Sequence, residues 1–383
     1  MLKRLLSIVI SVGILSFTAS CTKPSDKKEN DISKFKNVIV LIGDGMGPQQ
    51  IRAGEIYKQE KLYMQTIAQS TKVDTNSYYG DTTDSAAAAT ALSSGFLTEN
   101  GMVGLKPDGQ ETKTLVDIAS ELGKRTGVIT TEELYGATPM GFSAHATNRN
   151  EHLILLESAA STSNVNLFAS YKLPKNKEYL LDYFTNNGYE MITNPEILSD
   201  CTSEKVLGQF NIVAGADSMT IDEIALSLDG LVSEALEYLT KDEDGFFLMV
   251  EGAHIDHGGH NNDIQYMLNE LLAFDDAVKY VVEWAKKRDD TLVLVTADHE
   301  TGGLWVNEDL EYGKLFEYDQ ELNRFINFAW LSKGHTSTPV WLFAYGDEID
   351  FLKYSTFNDA SLMKNVDVFK IAQTYITANE QKK

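Results

Sequence analysis

The sequence predicts an α/β protein, a three-layer α/β/α fold around a large, mostly parallel central sheet. Five short, almost uninterrupted apolar runs, each bounded by turn residues, read as strands covered on both faces. Between them lie longer segments with helical periodicity, and this alternation builds parallel sheets flanked by helices. Composition agrees, since 43% of the 383 residues are hydrophobic and 10% aromatic, enough for a large core.

The first element is an address. Lys3 and Arg4 precede an apolar stretch, Leu5 to Phe17, that is too short to span a bilayer comfortably. Thr18-Ala19-Ser20-Cys21 follows, so residues 1–20 resemble a bacterial lipoprotein signal with Cys21 as the lipidated first residue. The protein is therefore expected to be exported, anchored through a lipid on Cys21 and facing the periplasm or cell surface. Residues 21–36 are polar and charge-rich and read as a tether. With Cys21 given to lipid, only Cys201 remains, so no intramolecular disulfide can form.

The fold itself is expected over residues 37–379 as a single catalytic domain. Strands are expected at Val38–Ile42, Thr126–Thr130, Phe246–Val250, Leu292–Thr296 and Val340–Ala344. Helices are expected at Asp84–Ser93, Thr114–Leu122, Lys177–Asn187, Ser227–Leu239, Asp263–Lys287 and Asp367–Ala378. Residues 164–209 and 307–333 lack a crisp pattern and read as irregular insertions on that domain.

Charge and chemistry come next. The formal charge of −23 has no compensating basic stripe, which argues against a nucleic-acid-binding surface. Ligands of open α/β sheets bind beyond the carboxyl ends of the strands. Asp44 follows the first strand, Glu251 the third, and Asp298 with His299 the fourth, so three segments bring acidic groups to one edge. Asp256 and His260 stand four apart, and a helical turn would place both on one face. Carboxylate oxygen and imidazole nitrogen are ligands that Zn²⁺ accepts. Gly258 and Gly259 suggest a closely approached turn there instead of a regular helix. Asp298 and His299 are adjacent, so they can share a metal only if the chain leaves the strand near Ala297.

Ser85 opens the Ala86–Ala89 run, a strong helix former. One reading makes it an ordinary cap; the other has the helix N-terminus face a phosphate while Ser85 supplies an attacking oxygen. No Gly-x-Ser-x-Gly elbow surrounds it, so a metal ion is the expected activator. Arg149 is either a surface ion-pair former or a fork that grips two phosphate oxygens, which lysine cannot do.

Taken together, the words Thr83-Asp84-Ser85-Ala86-Ala87, Val250-Glu251-Gly252-Ala253-His254-Ile255-Asp256 and Thr296-Ala297-Asp298-His299 resemble the alkaline phosphatase family, and the similarity runs from about Asn37 to the final helix. The resemblance implies hydrolysis of phosphate monoesters of small molecules, with Ser85 as the nucleophile forming a phosphoserine. It implies two Zn²⁺ ions, one held by Asp256, His260 and His335 and the other by Asp44, Asp298 and His299. It also implies one Mg²⁺ shared by Asp44, Thr138 and Glu251, and Arg149 as the phosphate-binding arginine. Family members are commonly homodimers, so a homodimer is an expectation as well. Three divalent ions outweigh the four carboxylates, leaving a positive site for a dianionic phosphate.

Two positions depart from the family pattern. Some bacterial members carry an aspartate where this chain has Gly136, and a lysine where it has His257. Within the superfamily a phosphodiesterase is the alternative; a sulfatase would need Pro and Arg after its modified residue, and Ser85 is followed by alanines until Thr90. A non-catalytic lipoprotein that binds zinc or phosphate would need the ligands without Ser85 and Arg149.

Overall fold

A computed structural model describes residues 31–213 and 225–378. The expected signal peptide, Cys21 and most of the tether lie outside the described residues. The described chain starts earlier than the expected domain boundary, with a 3₁₀ turn at Ile32–Lys34 and a fully buried Phe35.

The core is one sheet of eleven strands: β1 (Asn37–Gly43), β2 (Gln69–Asp74), β3 (Arg125–Glu133), β4 (Leu167–Tyr171), β5 (Glu190–Ile192), β6 (Val206–Val213), β7 (Ala225–Ser227), β8 (Phe246–Gly252), β9 (Thr291–Thr296), β10 (Val340–Tyr345) and β11 (Leu362–Lys364). They lie in the order β11-β2-β10-β9-β1-β8-β3-β4-β6-β5, with β7 beside β6. β1, β8 and β9 are buried along their whole length, which is why they read as continuous apolar runs.

The helices are α1 (Pro48–Lys58), α2 (Ser85–Ser94), α3 (Leu115–Glu121), α4 (Ala137–Ser143), α5 (His152–Thr162), α6 (Asp182–Asn186), α7 (Leu228–Leu239), α8 (His254–Asn261), α9 (Ile264–Ala285), α10 (Phe351–Tyr354) and α11 (Asn365–Ile376). α1, α7 and α8 pack on the long α9 as one layer, and α2, α3, α4 and α11 pack together as the other. α9 begins where the Asp263 side chain accepts the N–H groups of Gln265 and Tyr266. Among the described residues no helix is long and apolar enough to cross a membrane.

Four expectations need correction. β10 was expected to run parallel, but it is antiparallel to both neighbours, β2 and β9, while every other pairing in the sheet is parallel. Residues 164–209 are no appendage, because β4, β5 and the start of β6 extend the central sheet. Lys177–Asn187 opens as a 3₁₀ segment, Lys175–Leu181, before turning into α6. The stretch around Gly258 and Gly259 is a regular helix, α8. Its glycines are there for packing: a Cβ at Gly258 would sit 2.6 Å from the Met267 backbone, and one at Gly259 would sit 2.8 Å from the Thr301 carbonyl oxygen.

Candidate active site

Parallel strands end at a common edge, and the polar residues gather there. The Asp44 N–H donates to the Gly252 carbonyl at 3.1 Å, so Asp44 lies beside the end of β8. Register places Glu251 opposite both Ile42 and Thr130. β9 stops at Thr296, and the chain leaves the sheet before Asp298. Asp298 Oδ1 then accepts the N–H groups of Gly45 at 3.1 Å and His299 at 2.9 Å. Gly45 adopts φ +70°, and a Cβ there would stand 2.7 Å from Asp256 Cα, so this turn requires glycine.

The reversal of β10 has a direct consequence. Phe343 lies opposite Val295 and Tyr345 opposite Val293, so β10 starts beyond the carboxyl end of β9. His335, just upstream, is therefore delivered to the catalytic edge; a parallel strand would have put it at the other end.

Two sets of three side chains converge. Ligand-competent atoms of Asp256, His260 and His335 all lie within 4.8 Å of one another, and so do those of Asp44, Asp298 and His299. His260 Nε2 is 3.3 Å from Asp256 Oδ2, and His335 Nε2 is 3.6 Å from Asp256 Oδ1. His299 Nε2 is 3.1 Å from Asp298 Oδ2 and 3.6 Å from Asp44 Oδ1. The His299 and His335 rings stack at 3.5 Å, so the two sets adjoin.

The other ring nitrogens fix the tautomers. His260 Nδ1 faces the Lys333 carbonyl, and His335 Nδ1 faces the Thr83 carbonyl at 2.9 Å. A carbonyl only accepts, so both Nδ1 atoms carry protons and both Nε2 atoms present lone pairs. Those two Nε2 atoms sit 3.2 Å apart. Two lone pairs so close repel unless a cation lies between them, and outer N–H donation to a carbonyl is how metal-binding histidines are held. Thr301 completes the pattern: its hydroxyl donates to Asp256 Oδ1 and accepts from His299 Nδ1 at 3.2 Å.

Beside these sets lie Thr138 and Glu251, both fully buried. Thr138 lies close enough to Glu251 for its hydroxyl to favour the charged carboxylate, and Asp44 Oδ1 and Asp298 Oδ2 are buried with no hydrogen-bond partner. Carboxylate oxygens buried in this way fit divalent cations as partners. Burial, reinforced by Asp298 and Asp256, pushes Asp44 well above the usual carboxylate range. Burial followed by Glu132 does the same to Glu251, and burial raises Asp298. Burial holds His299 well below the ordinary histidine range, so it stays neutral and able to ligate.

Ser85 is the first residue of α2 and only 4% exposed. Its Oγ lies 3.2 Å from His299 Nε2. The cap is Asp84, whose side chain accepts from the Ala87 N–H, so Ser85 is released from capping and faces the two sets. The other Asp84 oxygen holds Arg149 Nη1 at 3.3 Å and the Gly101 N–H at 3.0 Å. Arg149, one-third exposed, thus stands beside Ser85 with donors left over. Small residues make this placement firm: every residue of α2 is buried, and Gly141 of α4 lies flush against Ala89.

All ten residues singled out from the sequence therefore belong to one neighbourhood. Sequence reasoning missed Asp84, Thr130, Thr301 and Glu132. Thr130 donates to Glu251 Oε2, and Glu132 contributes a further carboxylate that burial pushes up to about 8 against the pull of Arg149. Asp84 stands inside a recognised word without having been given a role, and Thr301 follows two residues after another; nothing in the sequence separates Glu132 from Glu133.

A three-layer sheet with a buried serine, an arginine and two adjoining carboxylate–histidine sets at its carboxyl edge defines a metal-dependent hydrolase of the phosphoryl-transfer class. Comparison with known proteins makes this specific. The alkaline phosphatase family profile matches residues 35–174 and 170–324. Alkaline phosphatase 3 of Bacillus subtilis is 35% identical over 338 residues, covering 80% of this chain and 71% of that protein. The solved structure of alkaline phosphatase from the Antarctic bacterium TAB5 superposes with a TM-score of 0.74 at 29% identity, covering 90% of this chain and 99% of that one. A histidine-to-aspartate variant of the TAB5 enzyme, with Mg bound in its M3 site, gives a TM-score of 0.72 at 29% identity over 89% of this chain and 97% of that one. The chain belongs to the alkaline phosphatase family.

Proposed function

We propose that this enzyme hydrolyses phosphate monoesters by transferring the phosphoryl group to Ser85 and then to water. Ser85 Oγ forms the new P–O bond in line with the departing ester oxygen, and the phosphoserine is afterwards opened by water to free phosphate. Arg149, aimed by Asp84, grips two non-bridging oxygens, and the positive end of α2 faces the same group. Asp256, His260 and His335 would hold one Zn²⁺, and Asp44, Asp298 and His299 the second. Asp44, Thr138 and Glu251 would hold Mg²⁺, the ion that the TAB5 variant carries in its M3 site. When bound, the ions lower the pKa of Ser85 and neutralise charge on the transferring group.

The observation that carries this reading is the pair of Nε2 lone pairs from His260 and His335 facing each other at 3.2 Å, with His335 stacked on His299, whose own Nε2 lies 3.2 Å from the buried Ser85 Oγ. The test is Ser85→Ala assayed on a chromogenic phosphomonoester, with zinc content measured alongside. Turnover should fall steeply while zinc stays bound, and chelation should abolish activity in the parent enzyme. Full turnover in the variant overturns the mechanism. Comparing kcat/KM on monoesters and diesters separates the phosphodiesterase alternative, since a diester offers Arg149 one fewer charged oxygen.

We further propose that residues 37–379 form the single catalytic domain, that Cys21 carries a lipid and that the enzyme is exported. The support is the Lys3-Arg4 pair, the apolar Leu5–Phe17 stretch and the small residues before Cys21. Mass spectrometry of the mature N-terminus tests the lipid, and light scattering tests the homodimer expected from the family.

A further inference from the structure

Gly136 has no backbone reason to be glycine. It caps α4 with φ −52° and ψ 150°, a conformation open to any residue. A side chain there would have to displace Glu132. A Cβ built on Gly136 would fall 1.7 Å from Glu132 Oε1 and 2.4 Å from Glu132 Cδ. The carboxylate of Glu132 thus fills the volume where a side chain at 136 would begin, at the start of the helix that carries Thr138.

Glu132 is also tied to the buried oxygens of this region. Its N–H donates to Thr130 Oγ1 at 3.1 Å, and the same hydroxyl donates to Glu251 Oε2. The charges that act on it are Arg149, Glu133, Asp256 and Asp298, so its carboxylate faces the site. After burial, Glu132 is the strongest influence on the Glu251 carboxyl, which Thr138 also reaches with its hydroxyl, and both of these residues are fully buried. Two buried acids thus face one another beside Thr138.

We infer that Glu132, projecting from the end of β3, supplies to the magnesium site the carboxylate that some bacterial relatives supply from the position of Gly136. The inference rests on the proposed Mg²⁺ set of Asp44, Thr138 and Glu251. The two positions form an exchanged pair: the acid moves from the cap of α4 to the strand before it, and glycine at 136 clears the room. Glu132 is a positioning residue. It balances Arg149 beside the residues that would hold the ion, and such outer partners typically change metal affinity by about 10–100-fold.

The test uses the full-length enzyme, stripped with a chelator, reloaded with zinc and titrated with magnesium, with bound Mg per chain read by plasma emission spectroscopy and Tm by calorimetry. Glu132→Gln, which keeps the shape, should weaken Mg binding about tenfold or more while zinc content is unchanged. Gly136→Asp alone should lower Tm, because two side chains then claim one volume. The double variant Glu132→Ala/Gly136→Asp should recover both Tm and most of the Mg affinity lost in Glu132→Ala. Wild-type Mg affinity in Glu132→Gln, or a double variant no better than Glu132→Ala, overturns the inference. Glu251→Gln separates the two levels: if it too leaves Mg binding intact, the magnesium set itself is wrong; if it abolishes binding while Glu132→Gln does not, only the role of Glu132 fails.

Discussion

Thr301→Val removes one hydroxyl and leaves the shape of the side chain nearly unchanged, yet it should loosen both of the proposed zinc sets together. In the parent enzyme that hydroxyl donates to Asp256 Oδ1 and receives His299 Nδ1 at 3.2 Å, and all three residues are buried. Losing a hydrogen bond to a charged group costs about 1.5–3 kcal/mol, and a stranded buried N–H costs about 1–3 kcal/mol. A stranded Nδ1–H also favours the other tautomer, which puts the proton on Nε2, where a metal would bind. Loss of an outer partner weakens metal binding by roughly 10–100-fold, or about 1.4–2.8 kcal/mol, which falls in the range of those hydrogen-bond costs. The assay is competition for Zn²⁺ against a chromogenic chelator, resolved into two binding steps. The expected result is a loss of this size in both steps, with near-normal folding by circular dichroism. Weakening of a single step, or wild-type affinity in both, refutes the view that Thr301 bridges the two sets.

Arg149→Lys should lower kcat/KM on monoesters on the order of 10–100-fold, because an ammonium cannot make the two parallel bonds of a guanidinium; steady-state kinetics decides. Gly258→Ala should lower Tm through overpacking of about 1–3 kcal/mol, since the added methyl meets the Met267 backbone at 2.6 Å; an unchanged calorimetric Tm contradicts the packing assigned to α8. The metal-free protein should lose stability as pH rises above neutrality. Glu132 moves from an ordinary 4.5 to about 8, and Asp44 and Glu251 are raised too, so the folded state holds protons that the unfolded chain has released. His299 works in the opposite sense only below its ordinary 6.5, which leaves the interval from there to about 8 clean. Denaturant titrations across that interval should show falling stability that zinc and magnesium loading flattens; a flat apoprotein profile argues against the crowding of carboxylates.

The central strands were legible because burial on both faces keeps the middles of β1, β8 and β9 apolar, with polar residues only towards their ends. The outer half of the sheet was not. β6 carries Gly208, Gln209 and Asn211, and β2 alternates buried Thr71 and Val73 with exposed Ser70 and Lys72, so neither forms an apolar run. Strand direction has no signature in residue type, and hence β10 was expected to run the wrong way. α8 was hidden by glycines whose reason lies outside it, in Met267 of the next helix and in the distant Thr301. The two metal sets were visible because histidine is scarce and falls within acidic words. Glu132 was invisible because its meaning depends on the space beside Gly136, which only the fold creates.

His335, the last of the ten site residues in chain order, stands ahead of a strand that runs back against its neighbours. A growing chain that has not yet been synthesised past this residue has the serine, the arginine and most of the carboxylates, but one of its cation cages stays open. The site therefore closes only when segments from the first strand to the tenth have come together, so its assembly reports completion of the fold.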